Sequence, residues 1–157
     1  MNLPTITKRF SDLPFAHRQH THDGHCRLIH GHNWAFEFEF ACDVLTEQKF
    51  VVDFGKLKGL RRWLEEHFDH TLVLNEDDPY KDYLISVLTQ NKASPTFAKV
   101  VVVPNGGAEE LAAWLFYKVN LLFSDNPEYR ERGVRVVRVT VFEDSKNSAT
   151  YREEKRR

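Results

Sequence analysis

The sequence predicts an α+β fold built on an antiparallel sheet. Three observations carry this. Residues 33–44 alternate apolar and polar side chains with period two. Two later stretches, 53–68 and 108–123, repeat apolar residues at helical spacing. A second strand-like stretch, 134–143, follows them near the end of the chain. The order is strands, helices, strands, the pattern of an α+β fold with an antiparallel sheet.

In the first strand Trp34, Phe36, Phe38 and Phe40 share one parity, and Asn33, Glu37 and Glu39 take the other. Cys42 falls on the aromatic parity and reads as packing. His30 and His32 continue that parity upstream. A strand extended back to them would hold both imidazoles on one face, one strand repeat apart, where they could share a metal. The 53–68 helix carries Phe54, Leu57, Leu60, Leu64 and Phe68 as its apolar stripe. Asp53 suits its N-cap, and Val52 with Leu57 can close a hydrophobic staple across it. Asp69 and His70 follow at its C-terminal end. Residues 76–104 are less regular, with a short helix expected over Tyr80 to Leu88 and a short strand over Val100 to Val103, stopped by Pro104. The 108–123 helix places Ala108, Leu111, Leu115, Val119 and Leu122 on one stripe, preceded by Asn105-Gly106-Gly107. Glu109 and Glu110 suit the positive end of its dipole. After the strand over 134–143, Asp144-Ser145-Lys146-Asn147 reads as a turn, Ala149 to Tyr151 as a return strand, and Arg152 to Arg157 as a frayed, charged tail.

The length of 157 residues fits a single domain over 1–157. Hydrophobic residues are 41% and charged residues 29%, which excludes disorder over most of the chain. The net charge of −1 gives no electrostatic case for nucleic acid as a partner. The longest apolar run, Leu111 to Tyr117, is far short of the roughly 20 residues a membrane helix needs, so no membrane partner is expected. No signal peptide is visible at Met1 to Phe10. Cys26 and Cys42 are too few for a disulfide framework. A soluble cytoplasmic protein with reduced thiols is the expectation.

The distribution of histidine points to chemistry. Of eight histidines, six lie between positions 17 and 32: His17, His20, His22, His25, His30 and His32, with Cys26 among them. Imidazole and thiolate are ligands that borderline-soft metals prefer. Two imidazoles from a strand and a third from elsewhere would fill three corners of a tetrahedral zinc site and leave the fourth open. On the residues alone, His17, His20, His22 and His25 stand equal as the third ligand, and a solvated His-rich loop is the plain alternative. A thiol beside such a metal has a lowered pKa and can act as base or nucleophile. Asp69-His70 offers an imidazole oriented by a carboxylate. Glu143 shares the parity of Val137, Val139 and Val141, so it prolongs an apolar face. A carboxylate buried there needs partners, and a ligand with two adjacent N–H donors would supply them.

Taken together, several motifs in order resemble the 6-pyruvoyl-tetrahydropterin synthase/6-carboxytetrahydropterin synthase family. They are Ala16-His17, Cys26-x3-His30-Gly31-His32, Val52-Asp53-Phe54-x2-Leu57-Lys58, Asp69-His70, Leu74-Asn75, Ala108-Glu109, and Val141-Phe142-Glu143 with Tyr151. The resemblance implies a T-fold with two helices on one face of the sheet, assembled as a homo-oligomer, a trimer or a hexamer. It also implies zinc held by His17, His30 and His32. Carried over by motif position, Cys26 is the catalytic thiol, Asp69 and His70 complete its triad, and Glu143 grips the pterin ring of the substrate. That substrate is dihydroneopterin triphosphate.

Three residues separate Cys26 from His30-Gly31-His32, the spacing typical of the bacterial carboxytetrahydropterin branch. The implied reaction is a lyase step that yields 6-carboxytetrahydropterin, acetaldehyde and triphosphate on the way to queuosine. The alternatives are the pyruvoyl-forming reaction at the same site and a non-catalytic T-fold protein stabilised by zinc. The chain departs from the family pattern in places. Leu13-Pro14-Phe15-Ala16-His17 replaces Phe-x-Ala-Ala-His, and Lys49-Phe50-Val51 replaces Gly-Met-Val. Gly106-Gly107-Ala108-Glu109 stands where the family usually has Pro-Thr-x-Glu, and the 76–104 connection is longer than usual.

Overall fold

In a computed structural model, residues 4–89 and 97–152 are described. In chain order the elements are β1 (Ile6–His17), β2 (His30–Ala41), α1 (Lys58–Phe68), β3 (Thr71–Asn75), α2 (Lys81–Thr89), β4 (Lys99–Val103), α3 (Ala108–Ser124), α4 (Pro127–Glu131), β5 (Arg135–Phe142) and β6 (Ser148–Arg152). Single 3-10 turns precede β2 at His25–Arg27 and α1 at Phe54–Leu57. The strands form one sheet in the order β4-β3-β1-β2-β5-β6.

The α+β class holds, with one correction to the sheet. The β1-β2, β2-β5 and β5-β6 pairs are antiparallel as expected. The β1-β3 and β3-β4 pairs are parallel, so the sheet is mixed. All five residues of β3 are buried, so it carries no polar alternation by which a sequence pattern would reveal it. β1 was also absent from the sequence reading. Its period is broken by an irregularity between Phe10 and Leu13, where Asp12 takes φ 60°, and Pro14 lies within it.

The core lies on one face of the sheet under α1 and α3. Trp34, Phe36, Phe38 and Phe40 are all fully buried there. Phe68 of α1 meets Phe36 at 5.0 Å between ring centroids, and Phe123 of α3 stacks on Phe40 at 5.4 Å. Both main helices therefore cover the same aromatic stripe, as expected. Asp53 caps the turn ahead of α1 by accepting from Gly55 N at 2.8 Å, and Val52 and Leu57 are both buried beside it. Three expected core positions shift. Phe54 is exposed because it lies in the 3-10 turn, out of phase with the helix. Phe123 replaces Leu122 on the buried stripe of α3, four residues beyond Val119. A bulge against Glu39 and Phe40 pairs Val136, not Val137, with Phe40, so Val136 is buried and Val137 is not. Of the expected frayed tail over Arg152 to Arg157, Arg152 is the last residue of β6, and residues 153–157 lie outside the described residues.

Candidate metal centre

The aromatic stripe of β2 ends in histidines. β2 runs back to His30, so His30 and His32 share the parity of Trp34. His17, the last residue of β1, pairs directly with His30, and Phe15 pairs with His32. The three rings converge: centroids lie 4.7 Å apart for His17–His30, 5.1 Å for His30–His32 and 5.6 Å for His17–His32. The Trp34 indole forms the floor, edge-on to His17 at 4.9 Å and to His32 at 5.6 Å. Glu143, just past the end of β5, reaches in from the neighbouring strand, with Oε1 2.9 Å from His32 Nε2. One ligand atom from each of His17, His30, His32 and Glu143 lies within 4.8 Å of all the others.

Backbone carbonyls set the state of two of the rings. His17 Nδ1 is 2.8 Å from Gly106 O, and His30 Nδ1 is 2.7 Å from Leu28 O. A carbonyl only accepts, so each Nδ1 carries the proton and each Nε2 keeps its lone pair. His17 Nε2 is buried without a hydrogen-bond partner, and His32 Nε2 is buried against the Glu143 carboxylate alone. Burial holds the His17 pKa down to about 4, opposed by the Gly106 carbonyl and reinforced by His30 and His32. His17 is therefore neutral at pH 7, the form that binds a cation. An orphaned imidazole nitrogen at His17, fixed tautomers and an adjacent carboxylate together fit a metal ion such as zinc.

A pH dependence follows for the metal-free protein. The unfolded chain takes up the His17 proton near pH 6.5, and the folded chain only near pH 4. The resulting stability is fully present above pH 6.5 and is lost progressively as pH falls toward 4. Its size is on the order of 3 kcal/mol. Thermal denaturation of chelator-treated protein should show Tm falling across this window, and the fall should shrink in His17→Asn. An unchanged profile in that variant would contradict the assignment.

The other expected site residues lie elsewhere. Cys26 is half-buried on the His25–Arg27 turn, and its carbonyl accepts from Gln19 N at 2.8 Å, which folds the 18–29 loop back beside His17. His20 Nε2 lies 4.0 Å from Asp77, and His22 Nδ1 accepts from Gly24 N at 2.8 Å. Neither belongs to the convergent group, and nor does His25. His70 Nδ1 donates to Asp69 Oδ1 at 2.8 Å, so the expected carboxylate–imidazole pair forms. His70 takes φ 53° and its side chain is 83% exposed. It lines an open cavity of about 700 Å³ together with Ala16, Gly31, His32 and Asn33. Among the described residues no hydrogen bond joins Cys26 to Asp69 or His70 within the chain. The Glu143 carboxylate faces His32. The sequence reading missed the carbonyls of Leu28 and Gly106, because a main-chain acceptor leaves no mark in residue identity.

A family model described as 6-pyruvoyl tetrahydropterin synthase matches residues 5–154. The 6-carboxy-5,6,7,8-tetrahydropterin synthase of Aquifex aeolicus is 30% identical over 129 residues, covering 82% of this chain and 76% of that protein. A protein of the same name from Rickettsia conorii is 38% identical over 64 residues, or 40% of this chain and 46% of that protein. The chain spans about half the length of the Rickettsia relatives it matches. Among solved structures, an uncharacterised protein from Wolinella succinogenes superposes with a TM-score of 0.78 at 22% identity, covering 96% of this chain and 98% of that one. The mixed sheet with two helices on one face is the expected T-fold. With a family match over nearly its whole length, the chain belongs to the 6-pyruvoyl tetrahydropterin synthase family.

Proposed function

We propose that this protein is a zinc-dependent lyase that converts 7,8-dihydroneopterin triphosphate to 6-carboxy-5,6,7,8-tetrahydropterin, releasing acetaldehyde and triphosphate on the way to queuosine. The observation that carries the reading is the convergence of His17, His30 and His32, with Glu143 beside them and a partnerless Nε2 at His17. The names of the curated relatives and the three-residue spacing between Cys26 and His30 support the carboxy-forming branch. His17, His30 and His32 hold the metal. Zinc bound there supplies a Lewis acid for the side-chain hydroxyls of the substrate, which makes the adjacent C–H protons easier to remove. Cys26, as thiolate, takes such a proton, and His70, oriented by Asp69, exchanges protons with it. Asp69-His70 is exposed and makes no hydrogen bond to Cys26 within the chain among the described residues, and one subunit's pair serves another subunit's Cys26. This supports a homo-oligomer, a trimer or a hexamer, working in the cytoplasm.

Glu143 grips the pterin by accepting two N–H bonds from one ring, a charge-assisted bidentate pair. Glu143→Gln turns one acceptor into a donor, and pterin affinity should fall about 10- to 150-fold, the worth of one hydrogen bond to a charged group. Calorimetry measures this, with zinc content determined alongside. The 2.9 Å approach to His32 favours a second reading, in which Glu143 is a fourth ligand; zinc content, not pterin affinity, would then fall.

The deciding experiment incubates zinc-loaded protein with dihydroneopterin triphosphate and identifies the products by mass. 6-Carboxytetrahydropterin with acetaldehyde is expected. A product that keeps the three-carbon side chain would assign the pyruvoyl-forming reaction. No turnover and no pterin binding would leave a zinc-stabilised T-fold protein.

A further inference from the structure

Behind the metal centre lies a cluster of side-chain amides that the reaction above does not use. Asn75 ends β3 and is 1% exposed. Its Oδ1 accepts from Gly106 N at 2.7 Å, and its Nδ2 donates to Gln19 Oε1 at 3.2 Å. Gln19 Nε2 donates to Asn105 Oδ1 at 2.9 Å, and that oxygen also accepts from Gly107 N at 2.8 Å. A backbone N–H donor closes each end of the chain of bonds. The two N–H groups fix which atom of each amide is oxygen, and no member can flip without facing donor to donor or acceptor to acceptor. The carbonyl of Gly106, the residue that Asn75 holds, is the one that meets His17 Nδ1 at 2.8 Å.

The approach is close. A Cβ on Gly106 would come within 3.3 Å of Val73 Cγ1 and 3.4 Å of Asn75 Oδ1, so glycine lets the peptide sit against both the amide and the ligand. The bond to Asn75 needs the Gly106 N–H, which a proline at this position could not give.

We propose that Asn75 is a positioning residue for the metal ligand His17. It fixes the Gly106 peptide, whose carbonyl keeps the proton on Nδ1 and leaves Nε2 free for the cation. Gln19 and Asn105 hold the Asn75 amide in the one orientation that does this. The inference rests on the reading of His17, His30 and His32 as a metal centre and adds what sets the state of one ligand. Partners that orient a ligating imidazole typically change metal affinity by about 10- to 100-fold when removed.

The test is a cobalt titration, followed by visible absorption and by competition with a chelator, on wild type, Asn75→Ala and Asn120→Ala. Asn120 is the control: it makes a comparable pair of bonds to the Val136 backbone, under α3 and away from the histidines. Two-bond nitrogen–proton NMR of the metal-free proteins reports the His17 tautomer. Asn75→Ala should bind cobalt about 10- to 100-fold more weakly and show mixed His17 tautomers. Asn120→Ala should lose thermal stability and keep both affinity and tautomer. Wild-type affinity with a single Nδ1–H tautomer in Asn75→Ala would overturn the proposal, as would equal affinity losses in the two variants. If Asn75→Ala does not fold, Gln19→Leu takes its place, since it removes the group that orients the amide from a half-buried loop position. A smaller loss in the same direction is expected, and wild-type affinity overturns the role. Wild type that binds no cobalt removes the metal centre itself, and with it the inference; wild-type binding with unchanged variants removes Asn75's role alone.

Discussion

Replacing His30 with alanine should strip most of the zinc from the protein, while His20→Ala and His22→Ala leave it in place. His30 opens β2 and pairs with His17 across the strands, so its ring is held by the sheet, not by a loop. Its Nδ1 faces the Leu28 carbonyl at 2.7 Å, which leaves Nε2 to bind. Structural zinc sites are worth about 10–16 kcal/mol in apparent binding free energy, so one ligand among three or four accounts for roughly 3–5 kcal/mol, on the order of a thousandfold in affinity. His30 is only half-buried, and its loss opens no core cavity, so the variant should fold. His20 and His22 belong to the same His-rich segment yet engage Asp77 and the Gly24 backbone. Metal content after dialysis against a weak chelator separates the cases. An empty site in His20→Ala, with zinc retained in His30→Ala, would overturn the ligand set.

Why some of this was legible in the sequence and some was not comes down to period and pairing. The parity of Trp34, Phe36, Phe38 and Phe40 reads directly, and it carries His30 and His32 with it because a strand turns every second residue to one face. His17 could not be singled out that way. Its place depends on β1 pairing with β2, and β1 hides its own pattern behind the irregularity near Asp12 and behind Pro14. Only the family resemblance picked it from among four equal histidines. Thr71 to Asn75 escaped for a different reason: a strand buried on both faces shows no alternation. Asp69 and His70 were legible as a pair. Their conformation was not, since residue identity does not reveal the left-handed backbone that His70 takes between α1 and β3. The state of the metal ligands was the least legible of all, since it is set by the carbonyls of Leu28 and Gly106.

Cys26→Ala should keep its zinc and its fold and lose turnover by roughly 10² to 10⁴, the usual worth of a positioned acid or base. The turn that carries Cys26 is held by main-chain bonds, with Leu28 N to His25 O at 2.9 Å and Gln19 N to Cys26 O at 2.8 Å, so the thiol can be removed without unravelling it. Cys42 provides the contrast. It is buried in the core on the parity of Phe40, so Cys42→Ala should lower stability by about 1 kcal/mol and leave turnover untouched. The exposure of His70, which bonds Asp69 and not Cys26 within the chain, sharpens the test. If the pair serves a neighbouring subunit, Cys26→Ala and His70→Ala oligomers are each inactive, yet co-refolded mixtures contain sites with an intact thiol from one chain and an intact imidazole from the other. In a ring with random assembly about a quarter of the sites are whole, so mixing should restore about a quarter of wild-type activity. Recovery at that level places the reaction between subunits. Inactive mixtures would confine the thiol and the imidazole to one chain and overturn the shared site. Full activity in Cys26→Ala alone would remove the thiol from the chemistry, whatever the mixtures do.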